Sequence, residues 1–100
     1  MTLIYKILAR DEWAAALAAG AFTGSPIDLA DGFIHFSAAD QVDETRARHF
    51  AGRTGLLLVA VEAESLGAAL RWESSRGGAL FPHLYGPLPT RLVVSAEPIA

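Results

Sequence analysis

Over residues 2–8 the chain alternates, with Leu3, Tyr5 and Ile7 on one side, which is the period of a β-strand. The pattern then becomes helical. Asp11 is placed to cap a helix running to about Ala19, with Trp13 and Leu17, four apart, on its buried face. Its alanine-rich middle favours helix, and Gly20 supplies the stop. Residues 21–32 show no sustained period and read as a loop, punctuated by Gly24-Ser25-Pro26 and Asp31-Gly32. Period two returns at Phe33-Ile34-His35-Phe36-Ser37, a second strand with Phe33, His35 and Ser37 on one face and Ile34 and Phe36 on the other.

Ser37 followed by Asp40 resembles a capping box and opens a second helix from about Ala38 to Phe50. Its acids (Asp40, Asp43, Glu44) come early and its bases (Arg46, Arg48) late, as the helix dipole favours. Gly52 and Gly55 end it. Leu56 to Val61 is apolar without interruption, which predicts a central strand covered on both faces. A short turn or helix around Ser65–Ala69 leads to a strand at Leu70-Arg71-Trp72-Glu73, with Leu70 and Trp72 directed inward. Gly77-Gly78 breaks the pattern, and Leu92–Ala96 forms a last strand before Pro98. Strands outnumber helices and connections are short. The expected fold is α+β, with a small mixed, mostly antiparallel sheet and two main helices.

One hundred residues, 52% of them hydrophobic, suit one domain spanning 1–100. Apolar runs such as Leu56–Val61 fall far short of a membrane span, and the start lacks a basic n-region and a cleavage site. Cysteine is absent, which removes disulfides and thiolate metal sites and fits a reducing, cytoplasmic setting. The net charge is −3, and the eight basic residues form no cluster that would track a phosphate backbone. Non-specific nucleic-acid binding is therefore not expected; a single nucleotide or other small metabolite is, since a pocket can be locally positive in an acidic protein.

Candidate chemistry falls in three places. Phe81-Pro82-His83-Leu84-Tyr85-Gly86-Pro87-Leu88 puts an imidazole and a phenol in a segment that two prolines hold extended, so His83 and Tyr85 leave the same side. The bland reading is a rigid surface turn. His35 and Ser37 share a strand face, roughly 6–7 Å apart by strand rise, too far for a nucleophilic Ser–His pair. Ser37 doubles as a helix cap, whereas His35, between Ile34 and Phe36, needs a buried partner or a cavity. Arg71 and Glu73 form a surface pair on an edge strand, or Glu73 enters the pocket of His35 as a base or a ribose anchor. Arg46, Arg48 and His49 read as a solvated helix end. His35, Glu73 and His83 are chemically able to hold a metal, but no compact ligand spacing supports one, and no Gly-rich phosphate loop is present.

Taken together, Trp13 and Gly20, Gly32-Phe33-Ile34-His35-x-Ser37, Trp72-Glu73, and Phe81-Pro82-His83-x-Tyr85-Gly86-Pro87-Leu88 resemble, over almost the whole chain, a small bacterial family known as domain of unknown function 952. That family has no established activity. Its fold is considered similar to the ADP-ribosyltransferase superfamily, whose members bind NAD or an ADP-ribose-bearing substrate in a cleft of a split mixed sheet. The resemblance implies a nucleotide-like pocket with His35, Glu73 and His83 as candidate catalytic residues and Ser37, Tyr85 and Arg71 as candidate ligand-binding ones. It implies a transferase using NAD as substrate, with His35 holding the ADP-ribose part, Tyr85 stacking nicotinamide and Glu73 positioning the ribose. The competing expectation is a non-catalytic ligand-binding or protein-interaction module, with a metal-assisted hydrolase behind both.

Overall fold

The largest sheet is assembled on β1 (Leu3–Ala9), in a computed structural model that describes residues 1–75 and 77–99. β1 pairs antiparallel along its full length with β5 (Leu56–Glu62), from Leu3 opposite Glu62 to Ala9 opposite Leu56. The outer side of β5 carries β9 (Val93–Pro98), and the outer side of β1 carries the two-residue β4 (Ser37–Ala38). The register sets Ile4, Lys6 and Leu8 across from Val61, Val59 and Leu57, so these six share a face. Ile4, Leu8, Val59 and Val61 are wholly buried there, in one core with Phe22, Ile34, Phe36, Leu84 and Leu88. On the opposite face Leu56 and Ala60 are buried too, while Leu58 is only half-buried. The central position expected for this strand holds, with Leu58 the one weakly covered residue.

α1 (Arg10–Ala19) turns Trp13 and Ala16 inward, three apart, and leaves Leu17 55% exposed, against the expected Trp13–Leu17 pairing. The alanines make every face of this helix weakly apolar, so periodicity does not choose the buried one; packing does. Asp11 is not its cap. The helix begins one residue earlier, and Glu12 reaches back to accept the Ala9 N–H at 3.0 Å. Gly20 stops it as expected, with φ +86° and its N–H on the Ala16 carbonyl.

After β2 (Ala21–Phe22) comes a helix where a loop was expected, α2 (Pro26–Asp31). Its start signal is local. Pro26 occupies the first turn, where its missing donor costs nothing, and the Asp28 carboxylate accepts the Ser25 N–H at 2.9 Å. Gly32, at φ +88°, closes it. Six residues are too few for a hydrophobic period to register.

The strand predicted at 33–37 is divided between two sheets. β3 (Ile34–His35) pairs with β7 (Ala79–Leu84), which pairs on its other side with β6 (Leu70–Ser75). Phe36 donates its N–H to the Pro82 carbonyl at 3.0 Å, and the next residues cross to β1. Pro82 explains the division. A strand residue points its N–H and C=O to the same side, so the donor Pro82 lacks is on the side facing β3, where pairing stops; the ladder to β6 is untouched. A third, two-residue pairing joins β2 to β8 (Leu88–Pro89). Every pairing among the described residues is antiparallel. The fold is α+β and its sheet is split, but it is antiparallel rather than mixed.

Two more expectations need correction. α3 (Val42–His49) is introduced by a 3₁₀ turn at Ala39–Gln41, and the backbone N–H of Ala38, not a Ser37 cap, is met by the Gln41 side chain. Leu70 packs on the core but Trp72 is 41% exposed. β6 is an edge strand of its sheet, so Trp72 has a strand neighbour on one flank only.

Leu56→Ala is expected to cost about 2–5 kcal/mol, the usual range for a fully buried leucine. Leu58→Ala should cost clearly less because its side chain is already part-solvated. Urea unfolding of both variants checks this; equal midpoints would place Leu58 in the core.

Candidate functional site

Lys6 stands between Ile4 and Leu8 on the inward face of β1 and is only 7% exposed. Its ammonium meets Asp28, itself 2% exposed, at 3.0 Å on Oδ1 and 2.9 Å on Oδ2. The same carboxylate accepts Nδ1 of His35 at 2.6 Å, the His35 backbone N–H at 3.1 Å and the Ser25 N–H. Burial penalises the Lys6 ammonium and lowers its pKa, an effect Asp28 opposes. For Asp28 burial works the other way, but the His35 hydrogen bond, the Lys6 charge and the Ser25 N–H outweigh it and hold the carboxyl at about 2. His35 is therefore fixed by a carboxylate that is itself fixed from two other elements.

The second histidine lies directly across the ladder. His83 pairs with His35, and the two rings stand edge to face with centroids 5.6 Å apart. His83 is buried (5% exposed), with Nδ1 2.8 Å from Oε1 of Glu73. Tyr85 donates its hydroxyl to the same oxygen at 2.7 Å, so His83 and Tyr85 do leave one side of the chain. These bonds, Tyr85 first, lower the Glu73 pKa, and the carboxylate raises that of Tyr85. Arg71 does not pair with Glu73 as a surface couple; its guanidinium lies over the Tyr85 ring at 4.9 Å. Phe33 joins the group, stacked on His83 at 4.1 Å and tilted to His35 at 4.5 Å and Tyr85 at 5.2 Å.

The histidines open into a cleft of about 890 Å³ whose apolar lining includes Tyr5, Ile7, Phe36 and Phe81. Its polar lining includes Ser25, Asp31, Ser37, His35 and His83. The expected alternation holds for Ile34, a core residue, and for His35 and Ser37, which face the cleft; Phe36 is buried in the core and also borders the cleft. Ser37 is buried, sharing a 2.8 Å hydrogen bond with Thr45 of α3. Glu73, Tyr85 and Arg71 do not line the cleft, and Glu73 reaches it only through His83. Arg48 and His49, exposed at the end of α3 as expected, also border the cleft. Among the described residues no three acidic or imidazole groups are set to hold a metal ion.

Chemically the arrangement is two imidazoles, each held through Nδ1 by a carboxylate. Such a carboxylate orients the ring from its Nδ1 side, and Nε2 of His35 in turn meets the exposed Asp31 carboxylate at 3.0 Å. Sequence reasoning found His35, Glu73, His83 and Tyr85 but missed Lys6, Asp28 and Asp31. Two signals were available: a lone lysine between apolar residues of a strand, and Ser25-Pro26-x-Asp28 as a helix start.

A family model described as "Protein of unknown function (DUF952)" matches residues 7–96. The crystal structure of protein CC0527 from Caulobacter crescentus superposes with a TM-score of 0.97 at 58% identity, covering 99% of this chain and 87% of that one. The solution NMR structure of CC0527 gives a TM-score of 0.88 at 60% identity, covering 99% and 85%. No curated protein matches the chain.

The Asp28 carboxyl titrates near 4 in an unfolded chain and at about 2 in this fold. A depressed folded-state value means stability that is fully present above about pH 4 and is lost as pH falls through about 2. The expected loss from this group is roughly 2 kcal/mol. Urea unfolding across that range, with the Asp28 side-chain carboxyl followed by carbon NMR, checks it; a midpoint near 4 in the folded protein would show that the buried network is not made.

Proposed function

The chain belongs to the DUF952 family of proteins of unknown function, and on that premise we propose that it handles a nucleotide-like small molecule in the His35–His83 cleft, as a transferase acting on NAD or an ADP-ribose-bearing substrate. The observation that carries this reading is the pair of carboxylate-held imidazoles, 5.6 Å apart, at the wall of a cleft of about 890 Å³. That volume is in the range of small-molecule sites, and a mostly apolar lining with a few convergent polar groups is their usual chemistry. His35 would hold the polar part of the ligand, and the aromatic rings of Tyr5 and Phe81 in the cleft lining offer surface for a planar ring, with Phe33 and Tyr85 backing His83 from outside the cleft. Glu73 would act by positioning His83 and Tyr85, since both hydrogen bonds end on its Oε1.

One observation favours a second reading, a binding module without catalysis: Glu73 does not line the cleft and its Oε1 is already taken twice. No helix among the described residues is long and apolar enough to cross a membrane.

A thermal-shift series with NAD, ADP-ribose and an RNA 2′-phosphate should show stabilisation by at least one, lost in His35→Ala. His83 is too buried for the same use, because truncating it leaves a cavity and deprives Glu73 of a partner. Release of nicotinamide from NAD then separates the readings. A transferase should turn over, with Glu73→Gln keeping ligand affinity and losing rate; binding without turnover selects the module. No stabilisation by any of the three would sink the nucleotide assignment.

A further inference from the structure

Asp31 is the last residue of α2, and its carboxylate lies 3.0 Å from Nε2 of His35, the nitrogen left over once Asp28 has taken Nδ1. Both groups line the cleft beside His83. A carboxylate oxygen thus lies within hydrogen-bond distance of each ring nitrogen of His35, the inner carboxylate buried and the outer one exposed. Lys6 and Asp28 balance each other as a buried pair, which leaves Asp31 as the acidic group against the cleft-side nitrogen of His35. We propose that the Asp31 carboxylate occupies a ligand subsite for an oxyanion, phosphate or carboxylate, which binds His35 Nε2 by displacing it.

Three features of the structure make Asp31 a displaceable occupant. Its side chain is 47% exposed, against 1% for Asp28, so one contact of His35 is sealed in the core and the other faces solvent. Exposed ion pairs of this kind are weak and exchange readily with other charges. It also sits at a helix C-terminus, where the backbone carbonyls disfavour an acid, and no basic residue shares that turn. Finally, the position a Gly32 side chain would occupy is open space, so no neighbouring group covers that side of the turn after Asp31. Asp28, pinned from Ser25, Lys6 and His35, keeps the imidazole aimed while its outer partner changes.

This inference rests on the same cleft as the proposed function and adds the chemistry of one ligand group. The test is binding of inorganic phosphate, acetate and ADP-ribose to the wild type, Asp31→Asn and Asp31→Asn/His35→Gln, with the His35 ring nitrogens followed by NMR. Removing the competing charge should tighten phosphate or acetate binding about tenfold in Asp31→Asn, move the His35 ring signals, and fail in the double variant. Which of the two anions gains more identifies the group. Asp31→Ser provides a second substitution should the asparagine keep hydrogen-bonding Nε2. Equal affinity in the wild type and both single variants, or ligand shifts that leave His35 unmoved, would overturn the subsite. If ADP-ribose binds while Asp31 substitutions change nothing, the subsite fails and the nucleotide reading stands. If phosphate gains but ADP-ribose never binds, the subsite stands and the nucleotide reading fails.

Discussion

A carboxylate buried to 2% exposure is tolerable only when its lone pairs are met, and Asp28 is met from three parts of the chain at once. Lys6 comes from β1, the first strand of the main sheet; Ser25 from the start of α2; and His35 from β3, in the other sheet. The pair it forms with Lys6 is not in itself a strong source of stability, because removing two charges from water costs about as much as their attraction returns. What it does is restrict the arrangement. A shift of α2 or β3 leaves a buried ammonium or carboxylate unmatched, which costs several kcal/mol. The orientation of His35 follows from that restriction.

The position of the site follows from the break between sheets. The segment from Ile34 to Ala38 gives two residues to β7 and two to β1, and Pro82 marks the end of the first pairing. Where two sheets part, side chains between them have neither a ladder neighbour nor full solvent, and a cleft opens there. Both histidines stand on the last paired rung, so each has a carboxylate on one side and the cleft on the other. Phe33 fills the space between the two rings and Tyr85, which fixes their spacing without using a polar group.

The two histidines are nevertheless unequal. His83 is buried and shares its carboxylate with a phenol, in a layer that Arg71 covers from outside. His35 is part-exposed, and its Asp28 is shared with Lys6 and the Ser25 N–H, both in the interior network. The first has its ring enclosed, the second meets a buried carboxylate on one nitrogen and an exposed one on the other.

Much of this was legible in the residues. Periodicity set β1, β5 and the alternation at 33–37; Gly20 set the end of α1; and the Pro-flanked motif put His83 and Tyr85 on one side, because these are short-range consequences of side-chain direction and φ preference. The family was readable from three motifs in order, and residues 7–96 match it. Other features had no local cause. Leu17 and Trp72 are apolar residues at plausible core positions, and only the packing of neighbouring elements turned them outward. The division of the 33–37 strand needed Pro82, forty-odd residues away. Asp28 looked like turn chemistry until β1 supplied Lys6 and β3 supplied His35, since the partner of a buried charge is chosen by distance in space, and that distance exists only once the chain has folded.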